Sequence, residues 1–370
     1  MSAAASLFVD PITHHFDRDQ LFEVGASGFT RDDAPVWQYF RDWFAERDIA
    51  VHTADLLGTQ RRNERVAYIS FGNRGRYRSL VARDDVILSG FFTRECPVVE
   101  PSIYRELPAV SEAFRRVFSF STTEALLPFT GAPVPVHPFR LSQPYEGVHP
   151  EAWAKDDRRF LVLVSTNKLP RIDLNELYRE RLRAVEHFHR HEEIDVYGVG
   201  WDEPPFRMGE TNIPGTVRRV ARAGYVRWHR LRPTRDATRI AASEAWRGPT
   251  RANVETLSGY TFALCFENMK LEGWVTERIF DTLAAGTVPV YLGAPDIERW
   301  VPRECFVDMR DFASYEELRA FLHSLSPSQI AACREAGREY FASAKYRPFT
   351  KEALAELVGS IVAQDAEVVL

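Results

Sequence analysis

The stretch FENMKLEGWVTERIFDTLAAGTVPVYLG, Phe266 to Gly293, links two strand-length apolar runs. YTFALCF (260–266) leads into it and VPVYLG (288–293) closes it, both rich in β-branched and aromatic residues. Between them residues 276–285 have helical spacing, and Gly286 follows as a stop. A strand, a helix and a second strand at this spacing make a parallel crossover. The link ahead of the helix holds more chemistry than a crossover needs: Glu267, Asn268, Trp274, Glu277 and Arg278. Ligands of parallel α/β sheets bind beyond the carboxyl ends of the strands, where Glu267 and Asn268 stand. Thr276 can cap the helix, whose first turn then offers unpaired N–H groups and a partial positive charge. Arg278 in that turn adds forked hydrogen bonding to anionic oxygens. The stretch is an anion-ready turn. Acids in a first turn also serve the helix dipole alone, and Trp274 suits a core anchor equally well.

Working outward, the same alternation recurs on both sides. Before residue 150, apolar runs at 49–51, 66–71, 86–92 and 117–120 are strand-length, and Trp37, Phe40 and Phe44 mark a helix over 35–47. PFTGAPVPVHPFRLSQPYEGVHPEAW is too rich in Pro and Gly for a long element, so residues 130–155 read as a connection. After it come a strand at 160–165, a helix faced by Leu174, Leu177, Tyr178, Leu182, Val185 and Phe188, and a strand at 194–198 closed by Gly198. Residues 202–250 are Arg-rich and irregular. Ser314 with Glu317, and Ser326 with Gln329, have capping-box spacing, and a last helix covers 351–364. Strands alternating with helices predict an α/β fold of two Rossmann-like domains facing a central cleft. The expected division is 1–150, 151–348 and a C-terminal helix in 349–370.

With 370 residues, 45% hydrophobic and 27% charged, the composition is that of a globular protein with room for two cores. A formal net charge of −5 with interspersed signs argues against a nucleic-acid surface. The four cysteines form no CxxC pair, so neither a zinc knuckle nor a disulfide framework is expected. MSAAASLFVDPITHHF lacks a basic start and a long apolar core, and no apolar run approaches the roughly 20 residues that span a bilayer. A cytoplasmic protein is expected, with peripheral membrane association left open and oligomeric state unset. Only five lysines stand among many arginines. Asp17-Arg18-Asp19 has the DxD pattern of metal-dependent sugar transferases but lacks a strong preceding strand, and reads as a solvated turn. His14, His15, His187, His189 and His191 lack fixed acidic or cysteine partners, so a polar helix face is expected and no metal site.

The chemistry of the 266–293 link fits a nucleotide or nucleotide-sugar: an acid for sugar hydroxyls and an arginine at a helix N-terminus for a diphosphate. Phe266-Glu267-Asn268, the aromatic Trp274, Val275-Thr276-Glu277-Arg278 and Gly286-Thr287-Val288-Pro289-Val290 together resemble the signature of the α1,3-fucosyltransferase family, glycosyltransferase family 10, in its soluble bacterial type. ELYRERLRAVEHF (176–188), DVYGVGW (195–201), RECPVVEP (94–101) and RVFSFS (116–121) resemble further blocks of that family in the same order.

The resemblance implies the GT-B architecture, with an N-terminal acceptor domain and a C-terminal GDP-sugar domain. It implies inverting transfer of L-fucose from GDP-β-L-fucose to a hydroxyl of a β-galactoside or N-acetylglucosamine-type glycan, α1,3-linked, with no cofactor or metal required. Glu95 then matches the general base. Arg181 matches a helix arginine on the donor phosphates, although neighbouring Arg179 and Arg183 make a solvated role a competitor. Asn268, Trp274, Val275, Thr276, Glu277 and Arg278 form the donor site, with Glu277 on the ribose and Arg278 on the phosphates. Three positions depart from the pattern: Arg278 for the usual Lys, Trp274 for a common Tyr, and Cys96 for Ser. Two alternatives stand beside this expectation: a transferase using another GDP-sugar, and a nucleotide-sugar-binding relative without turnover.

Overall fold

The computed structural model describes residues 5–23, 34–72, 74–201, 220–221, 223–225, 227–228, 236–250 and 253–366. The described chain divides into two units, Met1–Glu146 with Tyr346–Leu370, and Gly147–Lys345.

In the first unit β1 (Ala5–Asp10), α1 (Ala34–Ala45), β2 (Ile49–Thr53), β3 (Val66–Ser70), β4 (Val86–Phe92), α2 (Pro101–Ala113), β5 (Val117–Ser119), α3 (Thr123–Thr130) and β6 (His137–Pro138) follow one another. The sheet order is β2-β1-β3-β4-β5-β6, and every described pairing is parallel. β3 and β4 are buried along their whole length, which is why VAYIS and VILSGFF are continuous apolar runs rather than alternating ones. Helix α1 covers the sheet through Val36, Trp37, Phe40 and Phe44, all buried at helical spacing.

The second unit contains α4 (Pro150–Trp153), β7 (Arg159–Val164), α5 (Tyr178–His189), β8 (Ile194–Tyr197), α6 (Ala237–Glu244), α7 (Asn253–Leu257) and β9 (Tyr260–Phe266). It continues with α8 (Glu277–Ala284), β10 (Val288–Leu292), β11 (Val307–Asp308), α9 (Tyr315–Ser324) and α10 (Pro327–Phe341). Its sheet order is β11-β10-β9-β7-β8, again all parallel among the described strands. The chain winds outward from β7 to β8, then from β9 to β11 on the other side. The two directions diverge between β7 and β9, the topological switch point at which such sheets bind ligands.

Residues 202–250 are not irregular throughout, since Ala237–Glu244 is helical and capped by Asp236, whose carboxylate accepts from the Thr238 N–H. The Ser326–Gln329 capping box is complete. At Ser314 the hydroxyl accepts from the Glu317 N–H, but the Glu317 carboxylate takes the N–H of Ala313 instead.

The last helix, α11 (Lys351–Ala366), belongs to the first unit. It packs on α1, β3 and β4 through Leu354, Val358, Ile361 and Val362. Asp365, near its end, is buried and takes Arg115 at 2.7 Å and Arg116 at 2.9 Å. Gln143 N–H donates to the Phe349 carbonyl and Tyr346 Oη to that of Tyr145, each at 2.7 Å.

Candidate functional site

At the switch point of the second unit two arginines meet over one amide. Arg181, from the second turn of α5, is only 2% exposed. Its Nε and Nη2 donate to the Phe266 carbonyl at 3.0 and 2.6 Å, and its Nη1 donates to Ser165 Oγ at 3.2 Å. Arg278, from the first turn of α8, donates Nη1 to the Val164 carbonyl at 3.3 Å. Asn268 Oδ1 accepts from both, at 3.0 Å from Arg181 and 3.5 Å from Arg278. The carbonyls of Val164 and Phe266 lie at the ends of β7 and β9, so each guanidinium is moored to a strand terminus. Asn268 is the hinge between them. The solvated arginine that Arg179 and Arg183 suggest is not what Arg181 is.

Beneath this pair lies a single carboxylate. Glu267 is fully buried and accepts from the Thr276 N–H at 2.9 Å and the Thr276 hydroxyl at 2.8 Å, with Arg278 Nε 3.9 Å away. Thr276 therefore occupies the N-cap position without capping through its hydroxyl, which is spent on Glu267. Burial raises the Glu267 carboxyl to about 7 against the opposing pull of Arg278 and the Thr276 bonds. Burial alone would lower the Arg278 guanidinium, but Glu277 and Glu267 outweigh it and raise its affinity for a proton. The two guanidiniums thus face Glu277 and a Glu267 carboxyl that burial keeps close to neutral. Two forked guanidiniums held side by side suit an anion.

The linkage sign for Glu267 follows from the raised value. Below its ordinary 4.5 both folded and unfolded chains hold the proton, and the folded state carries no electrostatic cost. As pH rises from 4.5 towards 7 the unfolded chain releases its proton first, so stability falls, and above 7 the cost is complete at about 3 kcal/mol. Glu267→Gln should remove this dependence. In urea unfolding, the variant is expected to gain on the native protein by about 3 kcal/mol between about pH 4.5 and pH 8. A difference that stays flat across that range would show that Glu267 is ionised throughout.

The loop that joins β9 to α8 is tied at several points. Leu177 N–H donates to the Asn268 carbonyl at 3.0 Å, Lys270 N–H to the Asn175 carbonyl at 2.8 Å, and Gly273 N–H to Asp296 at 2.8 Å. Trp274 and Val275 are each 2% exposed, so the indole holds the position of a core anchor. Glu277 is exposed in the first turn of α8 and lines a small cavity of about 40 Å³ with Arg278 and Val164. Gly293 passes so close that a Cβ would sit 2.4 Å from Glu267 Cγ, which explains the glycine closing VPVYLG.

A larger cavity of about 300 Å³ opens beside Arg181, lined by Ser165, Lys168, Pro170, Tyr178, Trp201 and Arg239 among others. Tyr178 lies under the Arg181 guanidinium, 4.9 Å from ring centre to Cζ, and Trp201 Nε1 donates to the Ser165 carbonyl at 2.7 Å. Gly198 makes the approach of β8 feasible: at φ +129° it leaves room where a Cβ would stand 2.0 Å from the Ser165 carbonyl oxygen. These lining residues do not stand out in the sequence; the polar run Ser165-Thr166-Asn167-Lys168 at the end of β7 is the signal that could have found them.

Glu95 belongs to the first unit, three residues beyond β4. It is half-buried, and its carbonyl accepts from Tyr104 Oη at 2.5 Å. Cys96 beside it is fully buried. The Asp17-Arg18-Asp19 turn is not solvated: Asp17 takes Arg74 at 2.7 Å and Arg76 at 2.6 Å, and Asp19 takes the Thr53 N–H at 2.7 Å and His52 at 2.9 Å. Despite burial, Arg76 and Arg74 hold Asp17 well below the usual carboxylate range, and its oxygens are committed to them. The expectation that the α5 histidines lack acidic partners also fails: Glu244 reaches His189, and Glu316 reaches both His187 and His191. Helix α9 supplies Glu316 from over 120 positions away, which no local pattern could announce.

Residues 235–348 match the family model described as glycosyltransferase family 10 (fucosyltransferase) C-term. An α-(1,4)-fucosyltransferase of Arabidopsis thaliana is 37% identical over 75 residues, 20% of this chain and 19% of the relative. The α-(1,3)-fucosyltransferase FucT of Helicobacter pylori is 41% identical over 63 residues, 17% of this chain and 13% of the relative. The matched stretches thus span a fifth or less of those curated relatives. Among solved structures, the sucrose-phosphate synthase of Thermosynechococcus elongatus is similar at a TM-score of 0.52 and 12% identity, over 97% of this chain and 98% of that one. That likeness concerns the fold, two parallel α/β units of the GT-B kind. The resemblance seen in the sequence is borne out where it was strongest: residues 235–348 carry the signature of the C-terminal domain of glycosyltransferase family 10, the fucosyltransferases.

Proposed function

We propose that the protein is an inverting, metal-independent glycosyltransferase that moves L-fucose from GDP-β-L-fucose to a hydroxyl of a β-galactoside or N-acetylglucosamine-type glycan, forming an α1,3-linkage. The observation that carries this is the Arg181–Asn268–Arg278 cluster at the β7/β9 switch point, inside or against the segment with the family 10 signature. A diphosphate there meets donors held rigidly before it arrives.

In the proposed reaction an acceptor oxygen attacks C1 of the fucose as the bond from C1 to the β-phosphate oxygen breaks. The electron pair leaves with GDP, the acceptor proton passes to Glu95, and the β-configuration becomes α. Arg181, Arg278 and the free N–H groups at the start of α8 stabilise the departing charge. Glu277 accepts from the ribose hydroxyls, Asn268 fixes the arginines, and Trp274, Val275 and Thr276 set the loop that presents them. In this reading linkage rests on the first unit; the relatives matched include both α1,4 and α1,3 transferases by name. Among the described residues no helix is long and apolar enough to cross a membrane; a cytoplasmic enzyme that meets a glycan or membrane-borne glycoconjugate acceptor fits the proposal.

Calorimetry against GDP-fucose, GDP-mannose and UDP-sugars tests the donor, followed by transfer assays on an array of β-galactoside and N-acetylglucosamine acceptors. Tightest binding of GDP-fucose with turnover on the array is expected. Preference for a UDP-sugar would overturn the proposal, and binding of GDP-fucose without transfer to any acceptor would reduce the protein to a nucleotide-sugar binder.

A further inference from the structure

Helix α5 carries Arg181 near its start and His187 in its last turn. His191 follows in the turn just beyond the helix, and the two imidazole ring centres are 5.4 Å apart. Helix α9 brings Glu316 against both: its Oε2 is 3.5 Å from His187 Nε2 and 3.9 Å from His191 Nε2. The three ligand atoms all lie within 4.8 Å of one another. His187 Nε2 is buried and has no hydrogen-bond partner among the described residues. An imidazole nitrogen in that state, aimed at a second imidazole and a carboxylate, is what a metal ligand looks like before its ion arrives.

The donor set, two imidazole nitrogens and a carboxylate oxygen, suits Zn²⁺. Zn²⁺ takes imidazole nitrogen and carboxylate oxygen at about 2.0–2.1 Å in a tetrahedron, which separates the ligand atoms by about 3.3 Å. The two carboxylate–imidazole separations exceed that by a few tenths of an ångström, within reach of a Glu316 side chain that is 62% exposed, and the imidazole nitrogens, within 4.8 Å of each other, close by rotation of His191, which is 35% exposed. The carboxylate is also aimed from behind. Its other oxygen, Oε1, faces Arg319 Nη1 at 3.7 Å, and Arg319 is itself held by Glu193 at 2.9 and 2.7 Å. An outer ion pair of this kind helps to orient a metal-binding carboxylate. Arg190 and Arg319 repel a cation, which limits affinity without removing it.

We propose that His187, His191 and Glu316 form a binding site for Zn²⁺, with three protein ligands and a fourth position open to water, which ties α5 to α9. The site lies away from the Arg181 cluster and takes no part in the proposed transfer. Its effect is mechanical: α5 presents Arg181, and Tyr315 at the start of α9 already donates to the carbonyl of Glu180 at 3.2 Å. A metal would add a second tie to the same pair of helices, two turns further along α5.

Metal-free protein titrated with Zn²⁺ in a calorimeter, and with Co²⁺ by visible absorption, tests the assignment. One equivalent of Zn²⁺ should bind, Co²⁺ should give the intense bands of a tetrahedral site, and Zn²⁺ should raise Tm. His191→Ala and Glu316→Gln should each weaken Zn²⁺ binding by about tenfold or more, and the double variant His187→Ala/His191→Ala should abolish it along with the gain in Tm. Metal-free Tm values of the variants report whether they fold, and His191, at the surface, can be replaced without opening the core. No saturable Zn²⁺ binding, an octahedral Co²⁺ spectrum, or affinity undiminished in His191→Ala would each overturn the proposal.

Discussion

Arg278→Ala is expected to weaken GDP binding by about a hundredfold or more. A charge-assisted hydrogen bond is worth about 1.5–3 kcal/mol, and the forked guanidinium can offer two to a diphosphate. The same change leaves Asn268 with one cationic partner and removes the charge 3.9 Å from Glu267, which then takes up a proton more readily. Arg181→Ala should weaken GDP to a similar degree and also destabilise the fold by about 3 kcal/mol, because the Phe266 carbonyl and Ser165 hydroxyl lose a buried partner. Calorimetry with GDP and urea unfolding separate the two effects: Arg278→Ala should act mostly on affinity, Arg181→Ala on both. Arg278→Lys keeps the charge but cannot reach Val164 and Asn268 together, so an intermediate loss is expected. Unchanged GDP affinity in either alanine variant would remove that arginine from the site.

Glu95→Gln should lower transfer by about a thousandfold while leaving GDP affinity within about twofold. Glutamine keeps the size of the side chain and cannot take the acceptor proton. Because Tyr104 holds Glu95 by its carbonyl, the backbone there should survive the change. An equal fall in affinity and turnover would point to a fold or donor-binding role. Transfer undiminished in the variant would leave the reaction without Glu95 as its base.

Much of this was legible in the residues. VAYIS, VILSGFF, FLVLV and YTFALCF announce buried parallel strands because both faces of such strands are covered, and FENMKLEGWVTER marks its own loop by polar residues at a strand end. The geometry that makes a site of them was not legible. Arg181 and Arg278 are 97 positions apart, and only the adjacency of β7 and β9 brings them to one amide oxygen. Thr276 reads as a cap by spacing, yet buried Glu267 outcompetes the helix for its hydroxyl. The Asp17 turn reads as solvated because Arg74 and Arg76 approach it across a gap of more than fifty residues. Local propensity speaks for elements; long-range charge pairing is invisible to it.

Helix α11 has a bearing on how the polypeptide matures. The chain leaves the first unit at Glu146 and comes back at Tyr346, so that unit is interrupted by the whole of the other. A ribosome releases residues in order. The inserted unit can therefore finish folding while β3 and β4 still await the helix that covers them, and Arg115 and Arg116 await Asp365. During that interval the nascent protein carries an uncovered apolar sheet face, the kind of surface on which chaperones act and aggregates start. Residues 346–366 thus serve as a timer: until they emerge, the unit that holds Glu95 is not closed.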